Sequence, residues 1–165
     1  MYLLDTGIVL ELRKAKAGRA DPGLVKWAAN APRQNLFISA ISLIELGGAA
    51  ARLARKNKAE GLALRGWIDT RLRSAFEGRV LPVDEAVVAM LDRMPHVETR
   101  NGLLAATART HGLTLVTREV AAFKASRVKL LNPRGYAADD PEQDADWRQA
   151  AKAGPAWLKN LFVRA

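Results

Sequence analysis

Four oxygen-bearing side chains fall where short apolar runs end and helical stretches begin. They are Asp5 in Leu3-Leu4-Asp5-Thr6, Glu45 in Ser42-Leu43-Ile44-Glu45-Leu46, Asn101 ahead of Gly102-Leu103-Leu104-Ala105-Ala106-Thr107-Ala108, and Glu119 in Val116-Thr117-Arg118-Glu119. An open parallel sheet gathers its ligands outside the carboxyl ends of its strands, so these four can meet at one edge. Carboxylates gathered without His or Cys suit a hard cation such as Mg²⁺ or Mn²⁺ rather than zinc. Asp5 carries the strongest signal, because a carboxylate directly after an apolar strand is costly to bury unless paired or metal-bound. The other three have structural readings that stay open. Ser42-x-x-Glu45 has the form of a capping box, Asn101 is a natural N-cap, and Glu119 fits a solvated loop.

Competing chemistries lack their residues. The chain has no cysteine, which removes disulfides, thiolate nucleophiles and cysteine-based zinc sites. It also has no glycine-rich phosphate loop, no Gly-x-Gly-x-x-Gly and no Gly-x-Ser-x-Gly elbow. His96 follows Pro95 in a loop and His111 stands at a helix end; neither has a partner suggesting a triad or a ligand pair. The four tryptophans (Trp27, Trp67, Trp147, Trp157) occupy apolar positions of helical segments and read as core or interface.

The elements that must position the acids follow from apolar periodicity. Strands are expected at Tyr2 to Leu4, Leu36 to Ser39, Val80 to Val83, Thr114 to Thr117 and Val128 to Leu131. Helices are signalled by Asp21-Pro22, by Asp84 before Glu85 to Met94, and by Asn101 before Gly102 to Thr110, with Gly112 as a stop. Ala50 to Trp67 reads as one or two amphipathic helices. Alternating strands and helices predict a parallel sheet covered on both faces, an α/β fold with three layers. The composition changes after Asn132-Pro133, so residues 1–133 read as one domain. Residues 134–165 read as an extension: a polar linker, Asp139 to Asp144, then a short helical tail from Trp147 to Phe162.

The chain has 165 residues, 49% of them apolar and 26% charged, which suits a single globular domain. The net charge of +9 lies wholly in residues 1–133, since residues 134–165 hold five acids and five bases. A basic body fits a polyanionic partner, whose phosphates release counterions when neutralised, although a solvated Arg-rich surface has the same composition. No apolar run is long enough to span a bilayer, and the first residues lack a signal-peptide pattern, so a cytoplasmic location is expected.

Together, the motifs at Asp5-Thr6, Ser42-x-x-Glu45-Leu46, Asn101 to Ala108 and Gly112-Leu113-Thr114-Leu115-Val116-Thr117-Arg118 resemble PIN-domain proteins. The resemblance is closest to VapC-type toxins of toxin–antitoxin modules, in order over about residues 1–133. It implies a Mg²⁺-dependent (or Mn²⁺-dependent) endoribonuclease of structured RNA, tRNA or rRNA. It further implies restraint by a cognate antitoxin, a homodimer, and contact with operator DNA through that antitoxin. By position, Asp5, Glu45 and Asn101 match the family's metal-holding residues. Glu119 is then the fourth catalytic candidate, and Thr6 and Thr117 are supporting residues. Arg13, Lys14 and Arg118 could hold the RNA backbone. Two positions depart from the pattern: Asn101 stands where the family has Asp, and Ala122 precedes Phe123 where another Asp is usual. Asn101 removes a negative charge and should attenuate activity, leaving a catalytically silent RNA- or antitoxin-binding module as the alternative. A DNA-binding regulatory domain is disfavoured, because no helix-turn-helix, zinc or basic-zipper pattern is present. The tail, with Arg148 and Arg164, could cover the acidic pocket.

Overall fold

The computed structural model describes residues 1–15, 18–95 and 98–136. Five strands, β1 (Tyr2–Leu4), β2 (Leu36–Ser39), β3 (Val80–Leu81), β4 (Thr114–Val116) and β5 (Leu130–Leu131), form one sheet in the order β3-β2-β1-β4-β5. Every neighbouring pair is parallel. The chain builds outward from β1 through β2 to β3, then crosses back to lay β4 on the other side of β1. The strand order therefore reverses between β1 and β4, where an open sheet leaves a crevice at its carboxyl edge.

Successive side chains of a strand point to opposite faces, and two separate cores result. Leu4 and Val116 join Leu36 and Ile38 on one face, while Leu3 and Leu115 lie on the other. The first face is covered by α1 (Thr6–Lys14), α2 (Pro22–Asn30), α3 (Ala40–Lys56) and α4 (Lys58–Trp67), through Ile8, Val25, Leu46 and Leu64. The second is covered by α6 (Glu85–Asp92), α7 (Thr99–Thr110) and α8 (Val120–Phe123), through Val87, Leu104 and Phe123. A π-helical turn, Ile68–Leu72, leads from α4 into the short α5 (Arg73–Ala75). The result is the expected three-layer α/β/α fold. Trp27 and Trp67 are buried in the first core, as their apolar positions suggested.

Several boundaries differ from the sequence reading. Strand β3 stops at Leu81, because Pro82 offers no N–H to a ladder. Strand β4 ends at Val116, one residue before Thr117, and β5 begins at Leu130, three residues after the left-handed Arg127 (φ 53°). Helix α3 begins at Ala40, three residues before the start that a Ser42 cap would set, and is separated from α4 by Asn57, whose side chain accepts from the Glu60 N–H at 3.2 Å. Helix α4 crosses α3 closely at Gly61, where a Cβ would lie 2.4 Å from Ala54 Cα. Caps at Asp21 and Asp84 form as expected, accepting from the Leu24 and Val87 N–H groups, each at 3.0 Å. His96, Trp147, Trp157, Arg148, Arg164 and the expected linker and tail lie outside the described residues. Of the extension, only residues 134–136 are described; their backbone runs against Gly23 at the start of α2.

Candidate functional site

Asp5 follows β1 and precedes α1, and its N–H donates to Val116 O at 3.0 Å, holding it at the carboxyl edge beside β4. It occupies the N-cap position of α1 but makes no side-chain capping bond. Its carboxylate is buried, and Thr117 Oγ1 donates to Asp5 Oδ2 at 2.8 Å across the β1–β4 seam. Thr117, wholly buried, sits just past β4, where its own N–H donates to Leu131 O at 3.0 Å.

Glu45 arrives from α3. The capping-box reading of Ser42-x-x-Glu45 does not hold: the N-cap is Ser39, whose Oγ accepts from the Ile41 N–H at 3.2 Å. Ser42 and Glu45 lie inside the helix, and Ser42 Oγ is buried without a hydrogen-bond partner among the described residues. With no capping duty, the Glu45 carboxylate turns toward the sheet edge, where the Thr6 hydroxyl donates to Oε2.

Asn101 arrives from α7, and here too the capping expectation fails. Helix α7 starts at Thr99 with Glu98 as its cap, which accepts from the Arg100 and Asn101 N–H groups at 3.3 and 3.1 Å. Asn101 is the third residue of the helix, and its side chain is available to the cluster.

The group that joins these residues is one the sequence reading passed over, Arg100. Its Nε and Nη2 both donate to Glu45, the latter to Oε2 at 3.1 Å. Nη2 also donates to Asp5 Oδ1 at 3.1 Å, and Nη1 donates to Asn101 Oδ1 at 2.7 Å. Every oxygen of the two carboxylates thus accepts a hydrogen bond from within the chain. The Glu45 hydrogen bond, aided by the charges of Asp5, Glu45 and Glu119, raises the Arg100 pKa despite the opposing effect of burial. A cation whose pKa is raised on folding contributes stability that is lost only as pH climbs through that pKa, so Arg100 stays charged across the neutral range. The only sequence signal for Arg100 was its place beside Asn101, and starting α7 at Asn101 left it outside the helix.

Glu119 is exposed at the start of α8. Its N–H donates to Thr117 Oγ1 at 3.1 Å and its charge reaches Arg100, but among the described residues no bond ties its carboxylate to the cluster. Of the three basic candidates, Lys14 is exposed. Arg13 lies over the Trp67 ring, 5.6 Å from its centroid, and burial lowers its pKa. Arg118 Nη2 pairs with Glu11 Oε1 at 3.0 Å and Asp21 Oδ2 at 3.4 Å, tying the loop after β4 to α1 and to the cap of α2.

A divalent cation fits the donors by type. One cationic nitrogen, Arg100 Nη2, already lies within 3.1 Å of both Asp5 Oδ1 and Glu45 Oε2, so the two carboxylates share one cation position. Hard cations favour such oxygens. The third donor is a neutral amide, and no three His, Cys, Asp or Glu side chains among the described residues are grouped to hold a metal.

The parallel sheet and its layering agree with comparisons to known proteins. The PIN domain family model matches residues 2–127, and the chain belongs to that family. It is 32% identical to VapC ribonuclease Y4jK of Sinorhizobium fredii over 142 residues, covering 81% of this chain and 97% of that protein. Toxin FitB of Neisseria gonorrhoeae is 30% identical over 141 residues, covering 81% and 98%. The solved structure of FitAB bound to an IR36 DNA fragment superposes with a TM-score of 0.73 at 26% identity, covering 85% of this chain and all of that one.

Proposed function

We propose that this protein is the toxin of a toxin–antitoxin pair and a metal-dependent endoribonuclease, attenuated by Asn101. The observation that carries this reading is the convergence of Asp5 and Glu45, from different elements, on one cation position at the strand-order reversal. Relatives named as a VapC ribonuclease and a toxin support the RNA substrate and the role. Asp5, Glu45 and the amide oxygen of Asn101 would hold Mg²⁺ or Mn²⁺. When bound, such an ion lowers the pKa of water and offsets charge on a phosphodiester. Thr117 and Thr6 fix the two carboxylates by donating to one oxygen of each. Glu119, exposed and with its charge reaching Arg100, is the fourth acidic candidate, and Lys14 would offer a charge to the RNA backbone. Structured RNA (tRNA or rRNA) is the proposed substrate, with a cognate antitoxin, a homodimer and operator DNA reached through the antitoxin as partners in the cytoplasm. Among the described residues no helix is long and apolar enough to cross a membrane.

The test is incubation of the purified chain with total bacterial RNA and with duplex DNA, each with Mn²⁺ or with chelator. RNA cut only in the presence of metal is expected. A preference for duplex DNA, or cutting that survives chelation, would overturn the reading. A second reading, a silent RNA- or antitoxin-binding module, is favoured by Arg100 holding both acids and by Ala122 standing where the family's acid is usual.

A further inference from the structure

Arg100 is the most heavily bonded side chain of the site, and the proposed chemistry does not use it. Its guanidinium makes four hydrogen bonds to three side chains: two to Glu45, one to Asp5 and one to Asn101. Two carboxylates carry two negative charges, of which one guanidinium cancels half. The Asn101 amide takes the third arm as a neutral acceptor at 2.7 Å and adds no further negative charge to be balanced. The Arg100 side chain is still 32% exposed. A rotation toward solvent therefore releases it without stranding a cation in the core, whereas Asp5, only 5% exposed, cannot follow.

We propose that Arg100 is an internal counter-ion that competes with the divalent cation for Asp5 and Glu45, so that metal loads only when this guanidinium swings out. The inference rests on the metal-site reading above. Bidentate pairing of arginine with a carboxylate is among the stronger polar interactions available to a protein. An incoming cation must displace that pairing on Glu45 and the shared bond on Asp5 together. Asn101 acts in the same direction, since it withdraws a ligand charge from the metal while accepting a bond from the competitor. Resting metal affinity is thus set by a contest within the chain, and anything that draws the guanidinium away, such as an RNA phosphate at the mouth, favours loading.

The test measures Mn²⁺ affinity by calorimetry for the parent chain, R100Q and R100K, with thermal melts confirming that each is folded. R100Q is expected to bind Mn²⁺ about tenfold or more tightly than the parent, the scale of losing hydrogen bonds between charged groups. R100K, which keeps the charge, is expected to stay close to the parent. Equal affinity in parent and R100Q overturns the proposal, as does equal tightening in both variants, which would show that charge is not the competitor. Should R100Q not fold, the parent chain decides: the Arg100 Nε–H resonance is followed by NMR during a Mg²⁺ titration. A resonance that moves in step with saturation supports the exchange; Mg²⁺ binding without movement, or no binding at all, overturns it. RNA cleavage enters none of these readouts, so the nuclease reading can fail while this stands, and the reverse.

Discussion

At the scale of single residues, the site depends on hydroxyls as much as on charges. Thr117 is wholly buried and aims its proton at Asp5 Oδ2 while accepting from the Glu119 N–H, so it sets both the orientation of the buried acid and the start of the loop beyond β4. Thr117→Val keeps the shape and removes both bonds. It should lower stability by about 1–3 kcal/mol, read by urea unfolding, because buried polar groups are left unpaired. Metal affinity should fall by about 10–100-fold, as when partners that orient ligands are lost. Asn101→Asp tests whether the amide attenuates the site. It adds a carboxylate to the cluster and should raise metal-dependent cleavage about tenfold by the added attraction; equal or weaker cleavage would contradict an attenuating role. Asp5 was legible in the sequence because an acid after an apolar strand needs a reason to be there. Arg100 was not, because nothing in local spacing tells an arginine at a helix start whether it faces solvent or a carboxylate 55 or 95 positions away.

At the scale of elements, the five strands and their layering followed from alternating apolar runs, since each run was short, apolar and bounded by turn signals. Caps were read less well. Asn101 and Ser42 both match good capping residues, yet Glu98 and Ser39 took those positions. The helices began a few residues earlier because tertiary packing of Leu104, Ala105 and Leu46 set their register. That displacement matters for function, because it places Glu45 and Asn101 inside their helices, facing the sheet edge, rather than spending them on caps. The α3–α4 hairpin that carries Glu45 depends on Gly61. A Cβ there would come 2.4 Å from Ala54 Cα, and backbone cannot yield as a flexible side chain can. Gly61→Ala should therefore destabilise the fold by about 1–3 kcal/mol despite its better helix propensity, checked by denaturant melting. A neutral or stabilising effect would contradict so close a crossing. The tie from Arg118 to Glu11 and Asp21 is partly exposed, so its loss should cost less than about 1 kcal/mol.

At the scale of the whole molecule, Asp5 and Glu45 meet at the carboxyl edge where the strand order reverses between β1 and β4, in a chain of net charge +9. That charge favours a polyanion by releasing its counterions. RNA binding should therefore be strongly salt-dependent, losing about tenfold or more in affinity between roughly 50 and 200 mM salt, read by fluorescence anisotropy. Affinity that ignores salt would mean the charge is a solvated surface and nothing more. One comparison decides whether Asp5 and Glu45 build a metal-dependent ribonuclease that Asn101 weakens. Total bacterial RNA is incubated in Mg²⁺ or Mn²⁺ with the parent chain, its Asn101→Asp form and an Asp5→Ala control. Cleavage should be strongest for Asn101→Asp, weaker for the parent and lost without Asp5. Cleavage that persists in Asp5→Ala, or none by any correctly folded form, would contradict the account.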